Sequence, residues 1–203
     1  HISVPLVADM DTGYGNPINV IRTVKESINA GAAAIILEDQ SWPKRCGHME
    51  GKSVIPLKDH VEKIKAADYA RGDSDLVIIA RTDSRGTHNL EEAIKRGKTL
   101  EESGADVIFI EAPKTVEEIR TIGKEINLPL LINLIEGGKT PSLPKEELES
   151  LGFRIILYPL SSIFATAHSM RTLASHIKSN SSTNGYTDML SFHEFEMVVD
   201  LQK

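Results

Sequence analysis

The sequence predicts an α/β fold, a (β/α)₈ barrel of which six βα units are visible. Six short runs rich in Val, Ile and Leu alternate with longer amphipathic stretches, which is the pattern of parallel strands joined by crossover helices. Nearly every run also ends on a polar residue. A barrel gathers its strand ends around one mouth, whereas the alternative, an open doubly wound sheet, would scatter these side chains along an edge.

The six predicted strands are continuously apolar, as expected for strands that are buried on both faces. In chain order they are residues 4–11, 33–40, 75–83, 106–112, 128–134 and 154–159. Neither G-x-G-x-x-G nor G-x-x-x-x-G-K-[ST] follows the first strand, which disfavours the common nucleotide-binding open sheets. Six units are two fewer than a closed barrel needs. The chain also begins almost directly with a strand, as though an N-terminal segment had been removed.

The stretches between the strands have recognisable helix ends. Asn16 and Pro17 are typical of an N-cap and a first helical position, and Gly31 predicts the end of that helix. The further helices are predicted at about 57–70, 89–103, 115–126, 144–151 and 161–178. The run SNSSTNGYTD has the composition of a flexible linker, so the predicted organisation is a barrel domain over 1–180 and a linker with a C-terminal helix in 181–203.

Composition excludes several classes of protein. The chain has 203 residues, 40% of them hydrophobic and 26% charged, which is ordinary for one globular domain. No apolar run approaches the roughly 18–20 residues of a membrane span, and no signal peptide is visible. The net charge of −6 without a basic patch argues against nucleic acid as a partner. A single cysteine suits a reducing compartment, so we expect a cytoplasmic protein.

Carboxylates at the first two strand ends predict a metal site. Asp9 and Asp11 lie on one face of a strand end, because strand side chains alternate with a period of two. With Glu38 from the next strand they form a set of hard oxygen ligands that suits Mg²⁺, or Mn²⁺ in its place. The alternative is that such acids only cap the following helices, which is the preferred interpretation for Asp39 alone.

Three further strand ends carry polar groups for an anionic substrate. Arg81 ends the most hydrophobic strand, where it needs an anion, either a substrate carboxylate or Glu111. A purely structural salt bridge is an equally good explanation of this arginine. Asn133 could donate to a carboxylate or enolate oxygen. The Gly137-Gly138-Lys139 run lacks the spacing of a phosphate-binding loop.

The only cysteine lies in the stretch WPKRCGHMEGK, residues 42–52, which has neither helical nor strand periodicity. Lys44, Arg45 and His48 would stabilise a Cys46 thiolate, and the glycines would give the loop hinge freedom. A lone cysteine is more often a small buried hydrophobic residue, but little else in this stretch has a buried character. We therefore expect residues 42–54 to form a loop that is mobile without ligand, orders when ligand binds and carries a functional thiol.

The motif PKRCGH, with DMDTGYGN upstream and LYPLSS downstream, resembles the isocitrate lyase and phosphoenolpyruvate mutase superfamily over essentially the whole chain. The resemblance implies a Mg²⁺-dependent (β/α)₈ barrel that forms a homotetramer and swaps a C-terminal helix, here residues 191–201, between subunits. That segment could equally fold back on its own barrel. The resemblance also implies that two N-terminal βα units are missing.

The resemblance assigns roles to the polar residues described above. Asp9 and Asp11 would hold the metal with support from Glu38, and Arg81, Glu111 and Asn133 would line the substrate pocket. The gating loop would comprise Lys44, Arg45, Cys46, Gly47 and His48. The lyase branch cleaves a carbon–carbon bond of a 2-hydroxy di- or tricarboxylate by retro-aldol or retro-Claisen chemistry, with Cys46 as the acid that protonates the carbanion.

Departures from the family pattern favour a particular substrate class. Ile135 stands where methylisocitrate lyases have a threonine, and Phe164 stands where they have an arginine. A tricarboxylate therefore fits less well than a 2-alkylmalate such as dimethylmalate, or than oxaloacetate as a hydrolysis substrate. A methylisocitrate lyase, a carboxyphosphonate- or phosphoenolpyruvate-type mutase, and an inactive ligand-binding paralogue are the alternatives. The mutase branch typically lacks KRCGH, and intact Asp9, Asp11, Arg81 and Cys46 argue against inactivity.

Overall fold

A computed structural model describes residues 2–201. The chain divides into two compact units, His1–Pro159 and Leu160–Lys203. The first unit contains β1 (Val7–Asp9), α1 (Pro17–Asn29), β2 (Ala34–Glu38), α2 (Leu57–Arg71), β3 (Val77–Thr82), α3 (Ser84–Thr87), α4 (Leu90–Glu101), β4 (Val107–Ile110), α5 (Val116–Glu125), β5 (Leu130–Asn133), α6 (Lys145–Ser150) and β6 (Phe153–Leu157). The second unit contains α7 (Ser161–Asn180) and α8 (Phe192–Val198).

All six predicted strands are present, and they pair in parallel in the order β1-β2-β3-β4-β5-β6. A doubly wound sheet would reverse its strand order midway, so that alternative is wrong. Because crossovers between parallel strands are right-handed, an unreversed order places the connecting helices on one face of the sheet. The six strands and the helices that connect them therefore form a curled half-barrel, as a barrel fold predicts. The two missing N-terminal units stay a prediction.

Two apolar layers cover the two faces of the sheet. One layer joins the sheet to the helices and contains alternate strand residues such as Ile35, Leu37 and Ile78, packed with Val20 and Ile64 of the helices. The other layer fills the concave face and consists of Ala34, Ile36, Ile79, Val107, Phe109 and Leu131. Burial on both faces explains why the strand sequences are continuously apolar.

The first helix begins as its sequence predicts. The side chain of Asn16 accepts hydrogen bonds from the backbone N–H groups of Ile18 and Asn19, while the side chain of Asn19 accepts from the N–H of Asn16. This reciprocal capping satisfies backbone donors that the first helical turn leaves unpaired. Gly31, just beyond the helix end, has a φ of +80°, a conformation that glycine adopts without strain.

The second unit carries the segment that composition assigns to a linker. The ring of Tyr186 packs against that of His176, and its hydroxyl donates to the carbonyl of Ser169. These contacts anchor the segment on α7. Several apolar side chains of α8 are exposed, among them Phe192 and Phe195. Within residues 2–201, no helix has the length and apolar character needed to cross a bilayer.

Candidate functional site

The polar site lies on the concave face of the sheet, directly beyond the apolar layer and at the carboxyl ends of the strands. Ile36 is followed two residues later by Glu38, Ile79 by Arg81, and Phe109 by Glu111. Since side chains two apart on a strand share a face, each apolar strand delivers one polar group to the same face at its carboxyl end. The strand register then pairs Glu38 of β2 directly with Arg81 of β3.

Arg81 is the cation around which the site is built. Its Nε donates to Oδ2 of Asp83 at 2.9 Å and its Nη2 to Oδ1 of the same carboxylate at 3.2 Å. Nε also lies 3.5 Å from Glu38, and Nη2 lies 3.5 Å from Glu111. The guanidinium stands 5.0 Å from the centre of the Phe109 ring. Burial alone would lower the pKa of Arg81, but Glu111, Asp83 and Glu38 raise it above its ordinary value.

A second set of contacts centres on Glu111. Nε2 of His48 lies 2.9 Å from Oε1 of this buried carboxylate, and the amide of Asn133 donates to it at 3.4 Å. Nδ1 of His48 accepts from the backbone N–H of Lys139 at 3.0 Å. The structure thus brings Glu111, Asn133 and His48 together, and His48 joins its own loop to the loop that follows β5.

The three carboxylates predicted to bind metal also lie at this end of the sheet. The backbone N–H of Asp11 donates to Oδ1 of Asp9 at 2.9 Å, and Asp11 has a φ of +50°, a conformation concentrated at binding sites. The ammonium of Lys44 pairs with Asp11 and lies 3.9 Å from Asp9 and 3.8 Å from Glu38. Among the described residues, no three His, Cys, Asp or Glu side chains are arranged to hold a metal ion directly.

Glu38 is nevertheless suited to a cation. Its side chain is 1% exposed, and neither carboxylate oxygen has a hydrogen-bond partner within the described part of the chain. Burial raises the pKa of Glu38 to about 7, although the charge of Arg81 opposes this. A buried, unsatisfied carboxylate beside two further carboxylates fits a hard divalent ion that binds partly through water. The ammonium of Lys44 lies among the same three carboxylates.

The cysteine loop covers the site through its backbone. Gly47 is buried, and a Cβ atom at this position would lie 2.6 Å from Nη2 of Arg81 and in collision with Glu111. Only glycine permits this approach. Cys46 itself is exposed. Because Lys44 and His48 are engaged with carboxylates, their predicted effect on the thiol stays a prediction, as does the mobility of the loop.

Asp39 lies on the opposite face of the sheet from Glu38 and supports the site from behind. Its carboxylate accepts from the hydroxyl of Thr82 at 2.6 Å, from the backbone N–H of Asp83 at 2.9 Å, and from Nη1 of Arg96 at 2.9 Å. It therefore fixes the end of β3, where Arg81 and Asp83 are found. Its role is structural, as preferred from the sequence, but it does not cap the helix that follows β2: its partners are two side chains and the backbone N–H of Asp83, the residue that precedes α3.

His60 of α2 is fully buried behind the sheet, and its titration should affect stability. Burial lowers the pKa of His60, against the opposing charge of Asp39. Below the ordinary value of 6.5 the unfolded chain gains a proton that the folded protein does not, so the free energy of unfolding should decrease as pH falls from 6.5 toward the lowered pKa. The slope contributed is at most about 1.4 kcal/mol per pH unit.

Urea unfolding between about pH 5 and 7.5 checks this expectation. His60→Leu should flatten the decrease, whatever it does to stability at neutral pH. His193→Leu is the matched control, because His193 is exposed. If the free energy of unfolding depended on pH equally in the wild type and in His60→Leu, His60 would not be the group responsible.

Sequence reasoning assigned no role to two residues that organise the site. Asp83, two residues after Arg81 on the same face, is the main partner of the guanidinium. Lys52 donates to Asp83 at 3.0 Å and to the carbonyl of Gly47. The sequence places Asp83 at a strand end, among the polar residues expected to converge on one site, but gives it no partner. No local pattern could have identified Lys52, because its partners lie in other segments.

The amino-acid sequence is similar to those of known proteins. A family model described as phosphoenolpyruvate phosphomutase matches residues 1–178. The 2,3-dimethylmalate lyase of Eubacterium barkeri is 46% identical over 201 residues, with 98% of this chain and 70% of the relative covered. The chloroplastic carboxyvinyl-carboxyphosphonate phosphorylmutase of Arabidopsis thaliana is 45% identical over 203 residues, with 98% and 60% covered. The chain thus spans well under the full length of these relatives.

The fold is similar to those of solved structures. The structure of oxaloacetate acetylhydrolase in complex with the inhibitor 3,3-difluorooxalacetate superposes with a TM-score of 0.91 at 35% identity, covering 98% of this chain and 67% of the other. A phosphonopyruvate hydrolase in complex with oxalate and Mg²⁺ has a TM-score of 0.86 at 30% identity, covering 99% and 70%. The similarity therefore extends over both the sequence and the fold.

Proposed function

The chain belongs to the phosphoenolpyruvate phosphomutase family, and we propose that it is a carbon–carbon lyase that cleaves a 2-hydroxy dicarboxylate of the 2-alkylmalate class. The observation that carries this proposal is the position of Gly47 against Arg81 and Glu111. Because Cys46 precedes Gly47, the only thiol of the chain lies on the segment that covers the site. Similarity to 2,3-dimethylmalate lyase supports the same class of substrate.

The residues of the site suit a retro-aldol cleavage. The guanidinium of Arg81, fixed by Asp83, is a rigid donor for a carboxylate or for the oxygen on which charge develops. As the C2 hydroxyl transfers its proton to a carboxylate of the site, C2 becomes the carbonyl carbon of the 2-oxo acid. The C2–C3 bond breaks, and its electron pair moves into the carboxylate on C3. The thiol of Cys46 then protonates C3 as a general acid. Closure of the loop excludes water, which would otherwise compete as the proton source.

We propose that Asp9, Asp11 and Glu38 hold Mg²⁺ when substrate binds, with Lys44 moving away from the carboxylates. The unsatisfied oxygens of Glu38 and the relative that is described with oxalate and Mg²⁺ support this. When bound, the ion would supply Lewis-acid stabilisation of an oxygen that gains negative charge. Lys44, Arg45 and His48 would complete the closed loop around the substrate.

Oxaloacetate hydrolysis is the second candidate function. It is favoured by the similarity to oxaloacetate acetylhydrolase in complex with 3,3-difluorooxalacetate. The same arginine and carboxylates could bind a 2-oxo dicarboxylate. Because the substrate carbon skeletons differ, the two functions can be separated by their products.

We also propose a cytoplasmic homotetramer in which residues 191–201 are exchanged between subunits. The exposed apolar side chains of α8 support a packing partner, and the single cysteine supports a reducing compartment.

A turnover assay tests the proposed function. The protein is incubated with 2,3-dimethylmalate, 2-methylmalate, oxaloacetate and 2-methylisocitrate, each with Mg²⁺ and with a chelator. We expect cleavage of an alkylmalate to give a 2-oxo acid and a saturated carboxylate, and we expect the chelator to abolish it. Faster turnover of 2-methylisocitrate than of every alkylmalate would contradict the proposed substrate class, and unchanged turnover with the chelator would contradict the metal site.

A further inference from the structure

Lys52 lies in the same segment as Cys46, yet its side chain is only 3% exposed. A buried ammonium needs acceptors in place of water. Lys52 has two of them: it donates to Oδ1 of Asp83 at 3.0 Å and to the backbone carbonyl of Gly47. One side chain of the loop therefore bridges the loop backbone and the end of β3.

The Asp83 end of this bridge is rigid. The same carboxylate accepts two hydrogen bonds from Arg81, and the backbone N–H of Asp83 donates to Asp39 on the other face of the sheet. Asp83 is completely buried. Lys52 is therefore attached to a group that β2 and β3 hold in place.

The Gly47 end of the bridge lies at the functional part of the loop. Gly47 packs on Arg81 and Glu111, and its neighbours are Cys46 and His48. The hydrogen bond from Lys52 holds the Gly47 carbonyl, so it restrains the peptide unit that links Gly47 to His48. Other contacts also restrain this turn, namely those of His48 with Glu111 and Lys139, and the hydrogen bonds between Gln40 and the backbone of Arg45. The bond from Lys52 is the one that fixes the Gly47 carbonyl to the end of β3.

Gly86 provides the room that the bridge requires. A Cβ atom at this position would lie 2.7 Å from Cε and 2.9 Å from Nζ of Lys52. Gly86 belongs to α3 and does not have positive φ, so the backbone itself would accept alanine. A side chain at this position would therefore displace the end of Lys52.

We propose that Lys52 is a positioning residue that latches the loop over the site and so fixes Cys46 relative to Arg81. This inference rests on the proposed function, because it takes Cys46 as the proton donor. Lys52 itself contacts Asp83 and Gly47 and acts on the reaction only through them.

Hydrogen exchange tests the latch independently of turnover. In Lys52→Met, the backbone amides of residues 46–49 should exchange at least roughly tenfold faster than in the wild type, the scale expected from the loss of a hydrogen bond to a charged group. Amides of β3 should keep their protection. Lys98→Met is the matched control, since Lys98 makes an exposed ion pair with Glu125 on the helical surface, and its loop should exchange as in the wild type.

A second variant separates the latch from the loss of a charge. Gly86→Ala keeps the lysine but displaces its side chain, so it should loosen residues 46–49 in the same way. The double variant should exchange no faster than Lys52→Met, because both changes remove the same contact. Both single variants should lower kcat by about tenfold or more with KM within roughly threefold, since Arg81 keeps its other partners.

The outcomes distinguish this inference from the proposed function. Unchanged exchange of residues 46–49 in a folded Lys52→Met protein would overturn the latch, and so would additive effects in the double variant. A wild-type protein that cleaves none of the substrates would overturn the proposed function. In that case the exchange measurements would still decide whether Lys52 holds the loop.

Discussion

Cys46→Ser is expected to lower kcat for the best alkylmalate substrate by about 10²–10⁴-fold, the usual contribution of general acid catalysis. Serine preserves the size and hydrogen-bonding capacity of the side chain, but an alcohol is a much weaker acid than a thiol. Proton delivery to the carbanion should therefore become slow. KM should change little, because Arg81, Asn133 and the carboxylates are untouched.

The neighbouring exposed residue Met49 offers a control for this experiment. Met49→Ala changes the same loop without removing a reacting group, so its kcat should stay near the wild-type value. For oxaloacetate hydrolysis we expect a smaller loss of kcat than for cleavage of an alkylmalate. A Cys46→Ser protein within about threefold of the wild-type kcat on an alkylmalate would defeat the lyase mechanism.

The second large effect is expected from Arg81→Met, which should lower the free energy of unfolding by about 3–5 kcal/mol, as when one partner of a buried ion pair is removed. Asp83, Glu38 and Glu111 are all buried and share this guanidinium. Methionine fills much of the volume but leaves the carboxylates without their common cation. Turnover should be lost as well, because no other arginine of the described chain contacts these three carboxylates.

The effect of Arg81→Met should depend on pH. Although burial opposes it, the charges of Arg81 and Lys52 lower the pKa of Asp83 below its ordinary value of 3.8. A lowered carboxylate pKa contributes stability that is fully present above the unfolded value and is lost as pH falls through the folded value. The difference in free energy of unfolding between the wild type and Arg81→Met should therefore be largest near neutral pH and should decrease below about pH 4.

Urea unfolding of a matched surface variant gives the comparison. Arg120 forms an exposed ion pair with Glu147, so Arg120→Met should cost no more than about 1 kcal/mol. If Arg81→Met cost as little as Arg120→Met, Arg81 would not be the cation that balances the buried carboxylates.

The fold and most of the site could be predicted from local pattern. The apolar runs marked all six strands, and Asn16, Pro17 and Gly31 marked the ends of the first helix. The period of two along a strand placed Asp9 and Asp11 together, and it carried Glu38, Arg81 and Glu111 to the concave face. The short helix α3 was missed, because four residues are too few to show a helical period.

The sequence by itself determined which residues reach the mouth of the half-barrel, because strand periodicity and helix capping depend on residues that are close along the chain. Only the tertiary structure decided how those residues pair. In the folded protein, Arg81 makes its hydrogen bonds to Asp83 and only longer contacts to Glu111. Lys44 lies among the carboxylates, and Lys52 donates to both Gly47 and Asp83. These pairings join different loops and strands, so they depend on strand register and on the path of each loop, neither of which a local pattern contains.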